Sequence, residues 1–349
     1  MRSRVSALVA VATLLALSLP AIAGASSGPS AAQAERAATL AYWTAERVAN
    51  AKPKDLVKTV VGYTQAPKPN AKPGGGSGAV TGASWVGTSA DTIRNRSGRI
   101  LFHQGTGDWI CSGSVVTDNS ATSDYSTILT AGHCVYDGTD GWATKWVFMP
   151  DFDEGPVYND CAHTKYGCWT ATRLAANATF VSGGGFGTNQ TVAVDYGFAR
   201  VELGGKNQVG DTDLDALVGA YPLKTSATAL SVQQWAFGYP AAGRYHGKDL
   251  VYCTNGGGTS LINDPNGANT WGMACNMTGG SSGGPWITGG TNPSNATGWS
   301  ASSVNSYGYS GLTYMFGPKF TSATTMVLGD VADGSATGGT SAIFNIPPP

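Results

Sequence analysis

Charge is what this sequence has least of. Only 12% of its 349 residues are Asp, Glu, Lys or Arg, against about a quarter in an average soluble protein. The two signs nearly cancel to a formal net charge of −1, so no basic field is present to hold nucleic acid. Histidine is scarce too, at four residues, and none belongs to an HExxH pair. The six cysteines form no CxxC motif. Cys161, His163 and Cys168 come nearest to a metal-ligand group, but without a second pair no zinc site is expected. No cofactor is implied either. Long apolar runs are confined to the N-terminus. There Arg2 and Arg4 precede the run from Val5 to Leu19, and Ala21 to Ala23 offer a small-residue cleavage site. That is the pattern of a secretory signal, and the run is too short for a spanning helix. An exported, extracellular protein follows, free of the membrane once the signal is cut and expected to be a monomer.

Export favours disulfides. Six cysteines allow 15 pairings, and proximity in the chain suggests Cys111–Cys134, Cys161–Cys168 and Cys253–Cys275.

What is abundant is glycine, at 49 residues, together with Thr, Ser, Val, Tyr and Trp. This mixture favours strands and turns over helices. The most helical stretch runs from Ala34 to Pro53, with apolar residues at helical spacing and a proline to stop it. A Pro-, Lys- and Gly-rich linker from Gln65 to Gly78 follows, whose GGGSG lacks the Gly-Lys-Ser/Thr of a phosphate cradle. Residues 24–83 therefore read as a pro-segment and linker. From about Ser84, short β-favouring runs such as GRILFHQG, STILTAG and TVAVDYGFARVEL alternate with turns, the texture of an all-β barrel or sandwich. From Gly329 the sequence is low in complexity and ends in three prolines, which predicts a flexible tail.

One stretch carries chemistry. MACNMTGGSSGGPW, from Met273 to Trp286, sets two serines among four glycines. A serine that cleaves amides needs a base within reach, a carboxylate to hold that base, and N–H donors for the oxyanion. Glycines let the backbone approach a substrate closely. GSSGG also fits the elbow of α/β-hydrolases, but those need a histidine after the serine. His103, His133, His163 and His246 all precede Ser282. The subtilisin order, with Asp first, needs a helical α/β texture that is missing. The order His, Asp, Ser remains. His133 sits in LTAGHCV, Asp195 in the apolar VAVDYGFARV, where a carboxylate needs a partner, and Ser282 in GGSSGGPW.

At these strings the sequence resembles the trypsin-like, chymotrypsin-fold serine peptidases, in particular the exported bacterial ones, from about Ser84 to about Phe320. The resemblance implies an all-β fold of two packed six-stranded antiparallel barrels, at about 84–205 and 206–328, with the site in the crevice between them. It implies Ser282 as nucleophile, His133 as general base and acid, Asp195 as its orienting carboxylate, and the N–H groups of Gly280 and Ser282 as the oxyanion hole. It also implies the pairing of Cys111 with Cys134. Ser281 fits the glycine frame poorly as nucleophile. Asp211, Asp213 and Asp215 compete with Asp195, but read as a solvated turn, since Ala216 and Pro222 stand where a calcium loop wants Gly and Glu.

Two departures matter. Ser281 stands where many relatives carry an Asp that pairs with a newly cut amine. Removal of the pro-segment is thus expected to unblock the site without building it, its helix being expected to cover the cleft or to assist the slow folding of barrels. The main side-chain pocket, implied at Asn276, Met277, Thr278, Ser306, Tyr307 and Gly308, has Asn276 at its floor. That choice disfavours Lys or Arg, and an uncharged or apolar preference is expected. The function that follows is a secreted serine endopeptidase acting on protein or peptide substrates. An inactive relative serving as an extracellular binding module, or a β-protein binding carbohydrate through its Trp and Tyr residues, are the alternatives.

Overall fold

The described chain begins with a capped helix. The Ser30 hydroxyl accepts the Gln33 N–H and the Gln33 side chain accepts the Ser30 N–H, the reciprocal box that opens helices. In the computed structural model, which describes residues 30–59, 62–65, 82–86, 92–118, 125–152, 164–202, 213–255, 260–289 and 298–346, the helix α1 covers Ala31–Tyr42. A second, α2, covers Ala45–Asn50 behind a Thr44 cap. The single helix expected from Ala34 to Pro53 is therefore two. Trp43 breaks it by burying its indole, whose Nε1–H donates to the Lys145 carbonyl at 2.6 Å. Pro53 lies in a strand. The chain is then extended, as β1 (Lys52–Pro53), β2 (Leu56–Thr59), β3 (Gly62–Gln65) and β4 (Ala83–Ser84). The signal-like N-terminus and the linker at 66–78 lie outside the described residues.

After the short helix α3 (Thr92–Arg96), six strands close on themselves. They are β5 (Ser97–Gln104), β6 (Gly107–Val116), β7 (Tyr125–Thr130), β10 (Thr144–Pro150), β11 (Trp169–Asn177) and β12 (Gly197–Glu202), with a small hairpin, β8 (Tyr136–Asp137) and β9 (Gly141–Trp142), beside them. The order β6-β5-β10-β11-β12-β7 returns to β6 through Ser114↔Leu129 to Val116↔Thr127. Every pairing round the ring is antiparallel, and Ile100, Phe102, Leu129, Val147, Leu174 and Phe198, from both faces of the wall, are all fully buried. Two single-turn helices, α4 (Ala178–Ser182) and α5 (Asn189–Val192), lead into β12. The expected junction between the barrels, at about residue 205, lies outside the described residues.

Beyond α6 (Leu214–Val218) the second half forms two sheets. One has the order β18 (Ser300–Val304), β17 (Pro285–Thr288), β13 (Trp235–Gly238), β14 (Val251–Thr254), with β4 added at its edge. The other is β15 (Ile262–Asn263), β16 (Thr270–Ala274) and β20 (Tyr314–Pro318). Between them Ala236, Val251, Met273, Trp286 and Met315 form a core. A short strand, β19 (Gly308–Tyr309), lies apart and pairs with β2.

The fold corrects one expectation. The tail predicted to be flexible from Gly329 instead carries α7 (Ser322–Asp333) onward and adds β21 (Ser341–Asn345). Strand β10 pairs only with Trp169 and Thr170 of β11, which leaves the rest of that edge open. Strand β21 fills it from Arg173↔Asn345 to Asn177↔Ser341, and an unpaired edge is costly to leave. Helix α7 buries Val327, Leu328 and Val331, and the Arg173 guanidinium caps its last turn through the carbonyls of Val331 and Ala332. Among the described residues no helix is long and apolar enough to cross a membrane.

Candidate active site

His133 stands in the single 3-10 turn Gly132–Cys134 that follows β7. Asp195 follows α5 and is fully buried. The two are joined twice: the His133 backbone N–H donates to Asp195 Oδ1 and His133 Nδ1 to Oδ2, each at 2.8 Å. This fixes the ring and its tautomer, and gives the buried carboxylate the partners it needs. A third donor, the Ser306 hydroxyl, reaches Oδ2 at 2.5 Å. Gly132 explains itself here, since a Cβ on it would stand 2.9 Å from Asp195 Oδ1. The Cys111–Cys134 disulfide ties the turn to β6. Asp213 and Asp215 lie elsewhere, flanking the start of α6, with Asp215 bonded to Ser126; Asp211 and His163 lie outside the described residues.

Ser282 comes from the turn before β17, in the other half of the molecule. Its carbonyl accepts the Ser112 N–H at 2.7 Å, and the Ser112 hydroxyl donates to the Gly280 carbonyl at 2.8 Å. Strand β6 of the first barrel thereby holds the serine turn, whose Ser282 carbonyl lies 3.8 Å from Cys134 Sγ, the residue after His133. Gly283 has φ +83°, and a Cβ there would lie 2.1 Å from Thr130 Oγ1 and 2.4 Å from the Ser112 carbonyl. Only glycine fits that seam. Ser281 turns away, donating its hydroxyl to the Thr278 carbonyl at 2.7 Å.

The Ser282 hydroxyl donates to the carbonyl of Lys54, at 3.1 Å. Residues 52–58 themselves lie across the serine turn. Strand β1 runs parallel to β6, with Lys54 N–H on the Ile110 carbonyl at 3.0 Å, and β2 runs parallel to β19 on the far side of Ser282. Lys54 Nζ meets Gln104 at 2.9 Å and Asp137 at 3.2 Å. The Asp55 side chain lies over Gly279, where a glycine Cβ would stand 2.2 Å from the Asp55 Cβ. Burial pushes the Asp55 carboxyl above its ordinary pKa, against the opposing pull of the Gly279 N–H and the His133 charge. His133 Nε2 is buried without a hydrogen-bond partner. The helix expected to cover the crevice is not what fills it; α1 packs on β10 and β11, and the extended run after α2 enters the site.

The residues implied for a substrate pocket divide. Asn276 Oδ1 accepts from the Tyr245 hydroxyl at 2.6 Å and from Gly82 N–H at 2.7 Å. Thr278 bonds to the Ala242 carbonyl and Met277 is buried in the second core. The Ser306 hydroxyl is taken by Asp195, Gly308 is paired with Val57, and Tyr307 donates to Asp264. Sequence reasoning missed Ser306 as a partner of Asp195, and missed Lys54, Asp55 and Lys58; their presence in the crevice depends on long-range folding that no local spacing announces. Cys253 pairs with Cys275. Cys168 is disulfide-bonded too, while Cys161 lies outside the described residues. The cluster of Cys111, His133 and Cys134 has the spacing to hold an ion, but its two sulfurs are bonded to each other and offer no thiolate.

No family model matches the sequence, and no curated protein does. Solved structures do. The chain is 32% identical to the protease Anisep from Arthrobacter nicotinovorans, over 70% of this chain and 98% of that one, with TM-score 0.56. It is likewise 32% identical to a thermostable serine protease, AL20, from an extremophilic microorganism, over 71% of this chain and all of that one, with TM-score 0.56. A Glu endopeptidase shares the fold at 17% identity and TM-score 0.51. The chain belongs to the trypsin-like, chymotrypsin-fold serine peptidases. It thus carries the two-barrel fold of that family.

Proposed function

We propose that this protein is an exported serine endopeptidase, made as a precursor whose own residues 52–58 occlude its site, with the working domain at 84–328. Ser282 Oγ attacks the substrate carbonyl carbon while its proton passes to His133 Nε2. Asp195 keeps the ring oriented and stabilises the imidazolium. The N–H groups of Gly280 and Ser282 receive the oxyanion. His133 then gives the proton to the leaving amine, and water repeats the sequence on the acyl-enzyme to free the acid and restore Ser282. The observation that carries this reading is the buried His133–Asp195 pair, joined by two hydrogen bonds and supported by Ser306.

In the precursor the Ser282 proton points at the Lys54 carbonyl oxygen and not at His133 Nε2. Attack needs the opposite, with oxygen facing carbon and proton facing imidazole. The segment therefore sits across the nucleophile without being set up for cleavage, and its removal unblocks the site. Ser281, bonded to Thr278, offers no carboxylate to a new terminus. Asn276 brings no charge to the implied pocket floor, which supports an uncharged or apolar residue at the cut bond. The disulfides fit export. Labelling of the processed protein with a fluorophosphonate tests the reading. The label is expected on Ser282 and absent from Ser282→Ala; a folded, processed protein that takes no label overturns it.

A further inference from the structure

Four residues beyond Lys54, a second lysine of the pro-segment is buried in a site built from the working domain. Lys58 is 4% exposed. Its Nζ lies 2.6 Å from Asn189 Oδ1 and 4.0 Å from Asp264 Oδ1, and 5.8 and 5.2 Å from the ring centroids of Tyr307 and Tyr309. The site is braced independently of the lysine. Asp264 Oδ2 accepts both tyrosine hydroxyls, at 2.6 and 2.7 Å, and Oδ1 accepts the N–H groups of Asn266 and Ala268. Tyr307 stacks on Phe316 and also bonds Thr270. The Asn189 amide donates to the Asn266 carbonyl, which aims its oxygen at the ammonium.

Burial pushes the Asp264 carboxyl up, but the two hydroxyls and two N–H groups more than reverse this and hold it below the ordinary range. Its side chain is fully buried in the precursor. A buried carboxylate of this kind, faced by aromatic rings, calls for a cation. Once the pro-segment leaves, that cation is gone while the donors remain. The same departure frees the backbone of β19, to which β2 is paired at Gly308↔Val57 and Tyr309↔Lys58. An extended peptide adding to this edge brings a side chain to the place of Lys58.

We propose that Asp264, Asn189, Tyr307 and Tyr309 form a cation subsite that binds a lysine or arginine side chain of the substrate, about four residues from the scissile bond. This rests on the peptidase reading above; it reassigns Tyr307, implied by sequence for the main pocket, to the cation subsite, and leaves Asn276 at the floor of the pocket for the residue at the cut bond. Four extended residues span roughly 13 Å, so the subsite acts on a side chain remote from Ser282.

The test uses protein matured from the full chain and peptides with one fixed cleavage bond, in which a single lysine or norleucine is moved through five positions on either side. We expect kcat/KM to favour lysine about tenfold at a position three to five residues from the cut. That ratio should fall to near one in Asp264→Asn, with folding checked by near-ultraviolet circular dichroism. Should that variant fail to fold, Asn189→Ala should lower the ratio in the same direction. Arginine should substitute for lysine. Cleavage with no lysine advantage, or an advantage confined to residues flanking the cut, overturns the subsite while leaving the peptidase reading intact. Absence of both cleavage and Ser282 labelling overturns both.

Discussion

The two barrels reach closure by different bonds. In the first, backbone pairing passes round all six strands, narrowest where two pairs join β10 to β11. In the second, two sheets are joined among the described residues by the Cys253–Cys275 disulfide, by side-chain bonds such as Ser303 Oγ to the Pro318 carbonyl at 2.7 Å, and by the short backbone bridge Tyr307↔Phe316 just past β18. The division matches what each half holds. The closed barrel carries His133 and Asp195, which must keep one geometry. The looser one carries Ser282 and the β19 edge, on which β2 is paired. The largest effect should come from the rigid side. Asp195→Asn removes a carboxylate that accepts two His133 bonds, and kcat/KM of the processed protein is expected to fall about 10⁴-fold. A loss below about tenfold would mean that the first barrel does not supply a working pair.

Stability should sharpen the contrast next. The two disulfides close loops of nearly equal length, with sequence separations of 23 and 22, so loop entropy alone predicts equal contributions. The strand pairing predicts otherwise. Replacing Cys253 and Cys275 by serine removes a link between two sheets, and a loss of about 2–5 kcal/mol is expected in urea unfolding. Replacing Cys111 and Cys134 cuts a barrel that its ladder already closes, and should cost less. Equal losses would erase the distinction. Gly283→Ala strikes the seam between the halves; its positive φ alone should cost about 1–3 kcal/mol, before the contact with Thr130 is counted.

Much of this was legible in the chain. TAGHC and GGSSGGPW singled out His133 and Ser282, and the structure gives their glycines a steric reason: Gly132 so that Asp195 can approach, Gly283 so that the serine turn can meet β6. Asp195 was recognisable as a carboxylate in an apolar run. The tail was misread because low complexity hid the three apolar residues that α7 buries, and because the open edge of β11 exists only once the barrel has formed. The segment ahead of the first barrel was misread for a similar reason. Its helix is visible in periodicity, but Lys54 and Lys58 look like ordinary solvated charges until the crevice places Asp137 and Asp264 beside them.

The smallest expected effect concerns how the closed precursor responds to pH. Asp55 is pushed up by burial in the occluded crevice, while in a released segment it would titrate in the ordinary carboxylate range. The occluded form therefore binds the Asp55 proton more tightly than the released form. By linkage, occlusion is fullest below the ordinary range and weakens as pH rises through the raised pKa. Fluorophosphonate labelling of Ser282 in the uncut full chain reads this directly. Asp55→Asn stays uncharged at every pH and serves as the reference, since it cancels the intrinsic pH dependence of the serine. The ratio of wild-type to Asp55→Asn labelling is expected near one in acid and to rise with pH. A ratio that stays flat would show that the Asp55 carboxylate finds solvent in the closed form, and that the second barrel's wall is open there even before the pro-segment is cut.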